Sequence, residues 1–282
     1  MTRILIKIIM VWPCLIATIT ACDKDEKISP PTPTSRSCVI KSESFTSGGS
    51  SDKRTFEYDY AGNLAVMQDF NEFDQVVRTT EMFPLYVATI EVGVFKPTKI
   101  ATDYDSDYMN GSPVHGRTSF TFDGVTKTDH FIHYFTYDTQ GRLITVEYVT
   151  PHVLNDNESK LTIQYANDNV SRLRYELTTG ARDEIVVIDV EGYDDKATPY
   201  NAIKGWKYIK NLSAWQGSPE FITSLSKNNP LKIKFYNKGT LTSEITHTYL
   251  YNDKGYPIQC NTVNKIGNNE GAWVTTYEYV CQ

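Results

Sequence analysis

The feature that most constrains this chain is a short turn unit that recurs along it. It reads Tyr137-Asp138-Thr139-Gln140-Gly141-Arg142-Leu143, and returns as Tyr58-Asp59-Tyr60-Ala61-Gly62-Asn63-Leu64 and as Tyr251-Asn252-Asp253-Lys254-Gly255-Tyr256. A shorter form reads Tyr236-Asn237-Lys238-Gly239-Thr240-Leu241, and Tyr165-Ala166-Asn167-Asp168-Asn169-Val170 reads as a degenerate copy. An alternating, aromatic-rich run enters each unit and an apolar-polar run leaves it. Asp or Asn opens a type I turn because its side chain can accept from a backbone N–H two residues on. Glycine then takes the left-handed conformation that closes the loop as a bulge. The tyrosine before the turn is expected to pack on the sheet with its hydroxyl in water. A chain punctuated in this way is committed to antiparallel hairpins.

The runs between the units have strand character. Cys38–Lys41, Arg54–Tyr58, Leu64–Phe70, Gln75–Phe83, Leu85–Phe95 and Thr98–Tyr104 come first. Asp123-Gly124 then joins Thr118–Phe122 to Val125–Tyr137, and Asp-Gly between alternating runs is a strong hairpin signal. Leu143–Thr150, Lys160–Tyr165, Arg172–Thr178 and Asp183–Val190 continue the meander. Leu231–Tyr236, Leu241–Tyr251, Tyr256–Asn264 and Trp273–Cys281 finish it. One interval, Gly192 to Pro230, breaks the pattern. There Ser218-Pro219-Glu220 supplies a cap, a first-turn proline and an early acid ahead of Phe221, Ile222 and Leu225. The pattern predicts a short helix ending near Asn228-Asn229, where Pro230 stops it. Pro199–Ile209 reads as a second helical turn. The fold class is therefore all-β: an antiparallel meander of β-hairpins forming a twisted sheet, sandwich or open barrel, with a short helical insert near 198–228.

The start of the chain says where the protein goes. Arg3 and Lys7 precede an apolar run, Ile8–Ala21, that is shorter than the roughly 20 residues a membrane span needs and carries Pro13. That is secretory signal-peptide grammar. Ile19-Thr20-Ala21-Cys22 resembles the bacterial lipobox, in which the cysteine is lipidated and becomes the mature N-terminus, so Cys22 is the expected anchor. Asp23-Lys24-Asp25-Glu26 resembles the acidic tract that follows the lipidated cysteine in surface-exposed lipoproteins of Bacteroidota. The stretch Lys27–Ser37 is polar and proline-rich, an extended tether. The organisation is 1–21 signal peptide, 22–37 lipidated tether, and 38–282 a single β-rich domain. The expected location is the outer membrane, lipid-anchored and facing outward.

Removing residues 1–21 takes away two cations, so the formal charge moves from −6 to −8. An acidic surface without basic clusters argues against a nucleic-acid partner, which is held chiefly by Lys and Arg. Once Cys14 leaves with the signal and Cys22 takes lipid, Cys38, Cys260 and Cys281 remain. A Cys38–Cys281 bridge, tying the domain's ends in an oxidising compartment, is the preferred pairing, and Cys260–Cys281 in the terminal hairpin competes with it.

The Tyr-Asp-x-x-Gly units resemble YD repeats, the hairpins of RHS-type shell proteins, although copies this few and irregular do not make a closed RHS shell. The chain is more similar to YD-repeat-like surface lipoproteins of Bacteroidota. The likeness rests on Cys22, the proline-rich tether, the Tyr-Asp hairpins, Asn229-Pro230 and the final Tyr251–Pro257 segment. It implies a place and an architecture, and carries no activity.

Several constellations invite chemistry. His130 and His133, three apart on a strand, point to opposite faces and do not chelate one ion. Asp103, Asp105 and Asp107 have the 1, 3, 5 spacing of a calcium loop, but Tyr108 and Val114 stand where that loop needs glycine and glutamate. They are a weak calcium candidate, and no metal or other cofactor is expected. There is no Gly-x-Ser-x-Gly elbow, no cysteine within a histidine motif and no phosphate-binding glycine loop. The large rings Trp206, Trp215 and Trp273, with Tyr200 and Tyr208, could form a ligand platform or plug a sheet end as core. The expectation is a non-enzymatic, lipid-anchored envelope protein that binds an extracellular glycan or another envelope protein. The rivals are a structural envelope component without a small-molecule ligand, its sheet pairing with neighbours, and a secreted-type hydrolase.

Overall fold

The turn units build the frame. In the computed structural model the side chain of Asp138 accepts from the N–H groups of Gln140 and Arg142, both at 2.9 Å, and its carbonyl accepts from Gly141 at 3.0 Å. Asp59 and Asn252 repeat these bonds, and Gly62, Gly141 and Gly255 sit at φ of +77°, +76° and +80°. A fourth copy has no tyrosine or glycine to announce it. Asn71 accepts from Phe73 and Gln75 at 3.0 Å, and Asp74 takes the left-handed position at φ 57°. The two shorter forms are a different turn. Lys238-Gly239 and Asn167-Asp168 each have both residues at positive φ, the two-residue hairpin geometry that matches strand twist.

The structure describes residues 38–83, 86–91, 98–104, 108–109, 112–122, 125–149, 158–179, 182–203 and 218–281. Its first strands are β1 (Cys38–Ser47), β2 (Ser50–Tyr58), β3 (Leu64–Phe70), β4 (Val76–Phe83), β5 (Tyr86–Glu91) and β6 (Thr98–Tyr104). The short β7 (Tyr108–Met109) and β8 (Ser112–Pro113) pair with each other. Then come β9 (His115–Phe122), β10 (Val125–Tyr137), β11 (Leu143–Val149), β12 (Glu158–Ala166), β13 (Asn169–Thr179) and β14 (Arg182–Val190). An insert holds β15 (Tyr193–Ala197), helix α1 (Pro219–Leu225) and β16 (Asn228–Pro230), before β17 (Lys232–Asn237), β18 (Thr240–Tyr251), β19 (Pro257–Ile266) and β20 (Asn269–Cys281).

Every neighbouring pair in the large sheet is antiparallel, and the last strand returns to the first. Cys38 lies opposite Cys281, Ile40 opposite Tyr279 and Glu43 opposite Tyr277. The sheet is thus a closed barrel of sixteen strands, the twenty described less the four in two small two-stranded sheets. Closure removes the edges that an open sheet, sandwich or open barrel would have kept. Cys38 and Cys281 are disulfide-bonded across the closing seam, and Cys260 is a buried free thiol.

A round sixteen-stranded barrel has a wide lumen; much of this one is packed with side chains. Phe135, Leu143, Val146, Leu161, Ile163, Leu173, Ile188, Ile233 and Ile245 line the inner face of β10–β14, β17 and β18, and Phe221 and Ile222 of α1 join them fully buried. A second cluster on β1–β3, formed by Ile40, Phe56, Leu64 and Met67, takes Tyr200 and Ile203 from the insert. The insert between β14 and β17 is therefore the plug. Ser218 caps α1 by accepting from Phe221 N–H at 3.3 Å. The helix ends at Leu225, earlier than the sequence predicts. Ser226 Oγ donates back to the Ile222 carbonyl at 2.8 Å and accepts from Val170 N–H at 3.2 Å, which turns the chain into strand. Pro230 therefore belongs to β16, not to a helix stop. Asn229, fully buried, fastens β16 by donating to Asp194 and to the Ala197 carbonyl, while Tyr251 donates to Asp194. The helical turn expected at Pro199–Ile209 is described only as far as residue 203, where Ile203 N–H donates to Tyr200 O at 2.9 Å.

The hydroxyls of Tyr58 and Tyr165, which precede turn units, are not in water, and two further tyrosines behave in the same way. Tyr58, Tyr165, Tyr193 and Tyr279 donate to the carbonyls of Ile40, Leu143, Val170 and Pro257 at 2.6–2.9 Å. All four acceptors stand at register shifts, where the bulge of a turn or strand takes a carbonyl out of the ladder. An inward tyrosine satisfies it, and burial pushes these four hydroxyls above their ordinary ionisation range.

From β13 to β20 the outer wall carries charge. Arg172, Asp189, Lys234, Glu244, Lys265 and Glu270 stand opposite one another in register from β13 to β20, a belt of alternating sign. Arg172 pairs with Asp189 at 2.6 Å, Lys232 with Glu244 at 3.0 Å and Lys160 with Glu147 at 2.7 Å.

Candidate functional site

One part of the lumen is charged. Arg54 lies two residues from the buried Phe56 and so shares its inward face. Glu43, Arg54, Asp69 and Arg78 are opposite one another on β1, β2, β3 and β4. Arg54 Nη1 donates to Glu43 Oε1 at 2.7 Å, its Nε donates to Asp69, and Arg78 Nη1 lies 3.5 Å from Asp69. Tyr200 of the insert donates to the other Glu43 oxygen. Burial opposes the charge on Arg54, but Glu43 and Asp69 more than offset it and hold the guanidinium above its usual range. Burial, then Glu43, pushes the Tyr200 hydroxyl well up, so it stays a donor.

These groups wall a cavity of about 510 Å³ whose other lining includes Phe45, Phe70, Asp52, Glu220 and Tyr277. The volume is in the range of small-molecule sites. Side-chain exposure separates the ladder: 11% for Glu43, 17% for Arg54 and 15% for Asp69, against 39% for Arg78. Arg54 is the clamp that holds two carboxylates in place, and Arg78 is the member that reaches solvent. At the same wall Phe45 packs its ring on Trp273, centroids 5.8 Å apart at 43°.

Of the aromatic residues expected as a platform, Tyr200 lines this cavity and Trp273 flanks it through Phe45. Trp206, Trp215 and Tyr208 lie outside the described residues, as do Cys22, Asp105 and Asp107. Asp103 is an exposed residue of β6. Among the described residues no three His, Cys, Asp or Glu side chains gather as a metal site. The ladder itself escapes a reading by motif, because its four members are separated by long intervals and meet only through register. The available signal was a charged residue on the inward side of a strand, two positions from an apolar neighbour.

Two histidines are also inside. His133 Nε2 meets Thr118 Oγ1 at 2.7 Å, and Thr118 meets Thr102 at 2.7 Å. Burial, with a smaller contribution from His115, brings its pKa down to about 4. His247 Nδ1 meets Thr262 Oγ1 at 2.9 Å and lies 3.5 Å from Cys260 Sγ. Burial depresses it to about 4 although Glu220 acts the other way. Burial also raises the Cys260 thiol, so this pair is a neutral thiol beside a neutral imidazole, the reverse of an activated nucleophile.

No family model matches this sequence, and no curated protein matches it. Solved structures do. A porin-like protein from Bacteroides uniformis superposes with a TM-score of 0.55 at 14% identity, over 86% of this chain and 96% of that one. A porin-like protein from Bacteroides vulgatus gives 0.48 at 10% identity, over 86% and 99%. At such identity the first likeness concerns the fold alone.

Proposed function

We propose that this protein is a non-enzymatic, lipid-anchored protein of a bacterial outer membrane, related to the YD-repeat-like surface lipoproteins, whose barrel stands in water and holds an extracellular ligand in its charged cavity. The observation that carries the reading is the Glu43–Arg54–Asp69–Arg78 ladder, a row of charges on the inner face of a barrel whose main core is apolar. Burying charges costs several kcal/mol per ion before pairing. A barrel that needed only stability would place apolar residues there.

The charge belt on the outer wall argues against a pore. A membrane-spanning barrel turns an apolar band outward and a polar face inward. Here the charge belt is outside, and Leu161, Leu173, Ile188 and Ile233 are inside. A structural component pairing edge to edge with neighbours is disfavoured by closure, which leaves that mode no strand edge.

Fractionation tests the reading. Wild-type protein is expected in the membrane fraction, and Cys22→Ala in the soluble fraction, folded without detergent. In a planar bilayer the chain is expected to show no stepwise conductance. A Cys22→Ala chain that remains integral to the membrane, or one that conducts, overturns the proposal.

A further inference from the structure

Resting on the cavity as the ligand site, we infer that its ligand is a neutral carbohydrate of mono- to disaccharide size, stacked on Phe45 and hydrogen-bonded by Arg78 and the carboxylates beside it.

Charge argues first. The acids that line the cavity are Glu43, Asp52, Asp69 and Glu220, and the cations are Lys53, Arg54 and Arg78. The two signs nearly cancel, and Arg54 is already shared between two carboxylates. Neither a strongly anionic nor a strongly cationic ligand finds an uncompensated field. What the wall does present is an alternation of acceptor and donor from strand to strand, at the sheet spacing of about 4.8 Å. A sugar hydroxyl is donor and acceptor at once, so a ring bearing several of them can satisfy both kinds of group.

Shape and apolar surface agree. Phe45 is 38% exposed, although it sits on the inward row with Glu43. Its ring is held at a fixed tilt by Trp273. A flat ring braced by a tilted neighbour and partly exposed to the cavity offers a surface for the C–H face of a pyranose. Phe70 and Tyr277 supply further apolar wall. In this arrangement Arg78 is a ligand-binding residue, while Arg54 and Tyr200 are positioning residues that keep Glu43 and Asp69 oriented.

The test is a titration of the purified full chain by calorimetry and tryptophan fluorescence. Maltose, cellobiose and lactose serve as neutral probes, with digalacturonate and inorganic phosphate as anionic ones. The expected result is saturable binding of at least one neutral disaccharide. Arg78→Gln and Phe45→Ala should each weaken it by about tenfold or more, the loss of one well-made polar or stacking contact, with thermal melts close to wild type. Binding of anionic probes alone, lost in the same two variants, overturns the neutral-sugar assignment and keeps the cavity as the site. Neutral-sugar binding that neither variant weakens overturns the placement. A blank titration overturns the carbohydrate inference. If that chain also conducts in a bilayer, the reading beneath it falls as well.

Discussion

Acid should unfold this barrel early, and the two buried histidines say by how much. His133 and His247 have folded-state pKa values near 4 against an ordinary 6.5, because burial disfavours the imidazolium. His133 is enclosed by Thr118, Tyr148 and Phe135, and His247 by Thr262, Cys260 and Tyr249. The Nε2 of His247 has no hydrogen-bond partner among the described residues, so it has no acceptor ready for a second proton. Between pH 6.5 and 4 the unfolded chain binds protons that the folded chain refuses. Stability is therefore full above about 6.5 and falls as pH drops toward 4. At about 1.36 kcal/mol per unit, a shift of this size makes each histidine worth about 3 kcal/mol across the window. Two such losses are comparable with the whole stability of a domain, about 5–15 kcal/mol. The assay is urea denaturation followed by tryptophan fluorescence at steps from pH 7 to pH 4. His133→Gln and His247→Gln, singly and together, should each flatten the pH dependence. If the double variant keeps the wild-type slope, the histidines are not the acid-labile elements and the argument from burial is wrong.

Arg54→Met leaves Glu43 and Asp69, on either side of β2, buried without their shared cation, and should cost about 3–5 kcal/mol in denaturant unfolding at neutral pH, as expected for a broken buried pair. Gly141→Ala meets nothing within 4 Å, so its penalty is the left-handed backbone alone. A loss of about 1–2 kcal/mol is expected, and a neutral melt would show that the turn relaxes. Phe221→Ala empties the centre of the plug and should lower stability by about 3–5 kcal/mol, measured in the same way. Cys281→Ser removes the disulfide across the seam between β1 and β20, and should cost about 2–5 kcal/mol under oxidising conditions and nothing in excess reductant.

The turns were legible because their chemistry is local. An Asp or Asn side chain that reaches the N–H groups two and four residues on, with a glycine between, closes the same loop wherever it stands. That is why the hairpins at 59–63, 138–142 and 252–256 could be read from one-dimensional text. The loop at Asn71 shows the limit, since Asp74 does glycine's work and no motif reveals it. The insert was half legible. Ser218-Pro219-Glu220 placed the start of α1, whereas its end depends on Ser226 bonding across to Val170, a partner 56 residues away. The tyrosines misled for a related reason: whether a hydroxyl is wet depends on a neighbouring strand's bulge, and that carbonyl is invisible until strands are paired.

The preferred Cys38–Cys281 bridge hinted that the chain's ends meet, but closure of the sheet and the cavity were decided by the tertiary structure. Alternation says that each strand has two faces, and hairpin turns say which strands are neighbours. Neither says whether the accumulated twist brings β20 back to β1, because that is a sum over all the strands and their bulges. Once the sheet closes, inside and outside are defined. Only then do Glu43, Arg54, Asp69 and Arg78, unremarkable polar residues on four strands, become a ladder facing one cavity, while Arg172, Asp189 and Lys234 become a wetted wall. The amino-acid sequence by itself determined the hairpins and their antiparallel order, since turn chemistry acts over about five residues. The face on which each charge fell was decided by register and closure, which act over the whole chain.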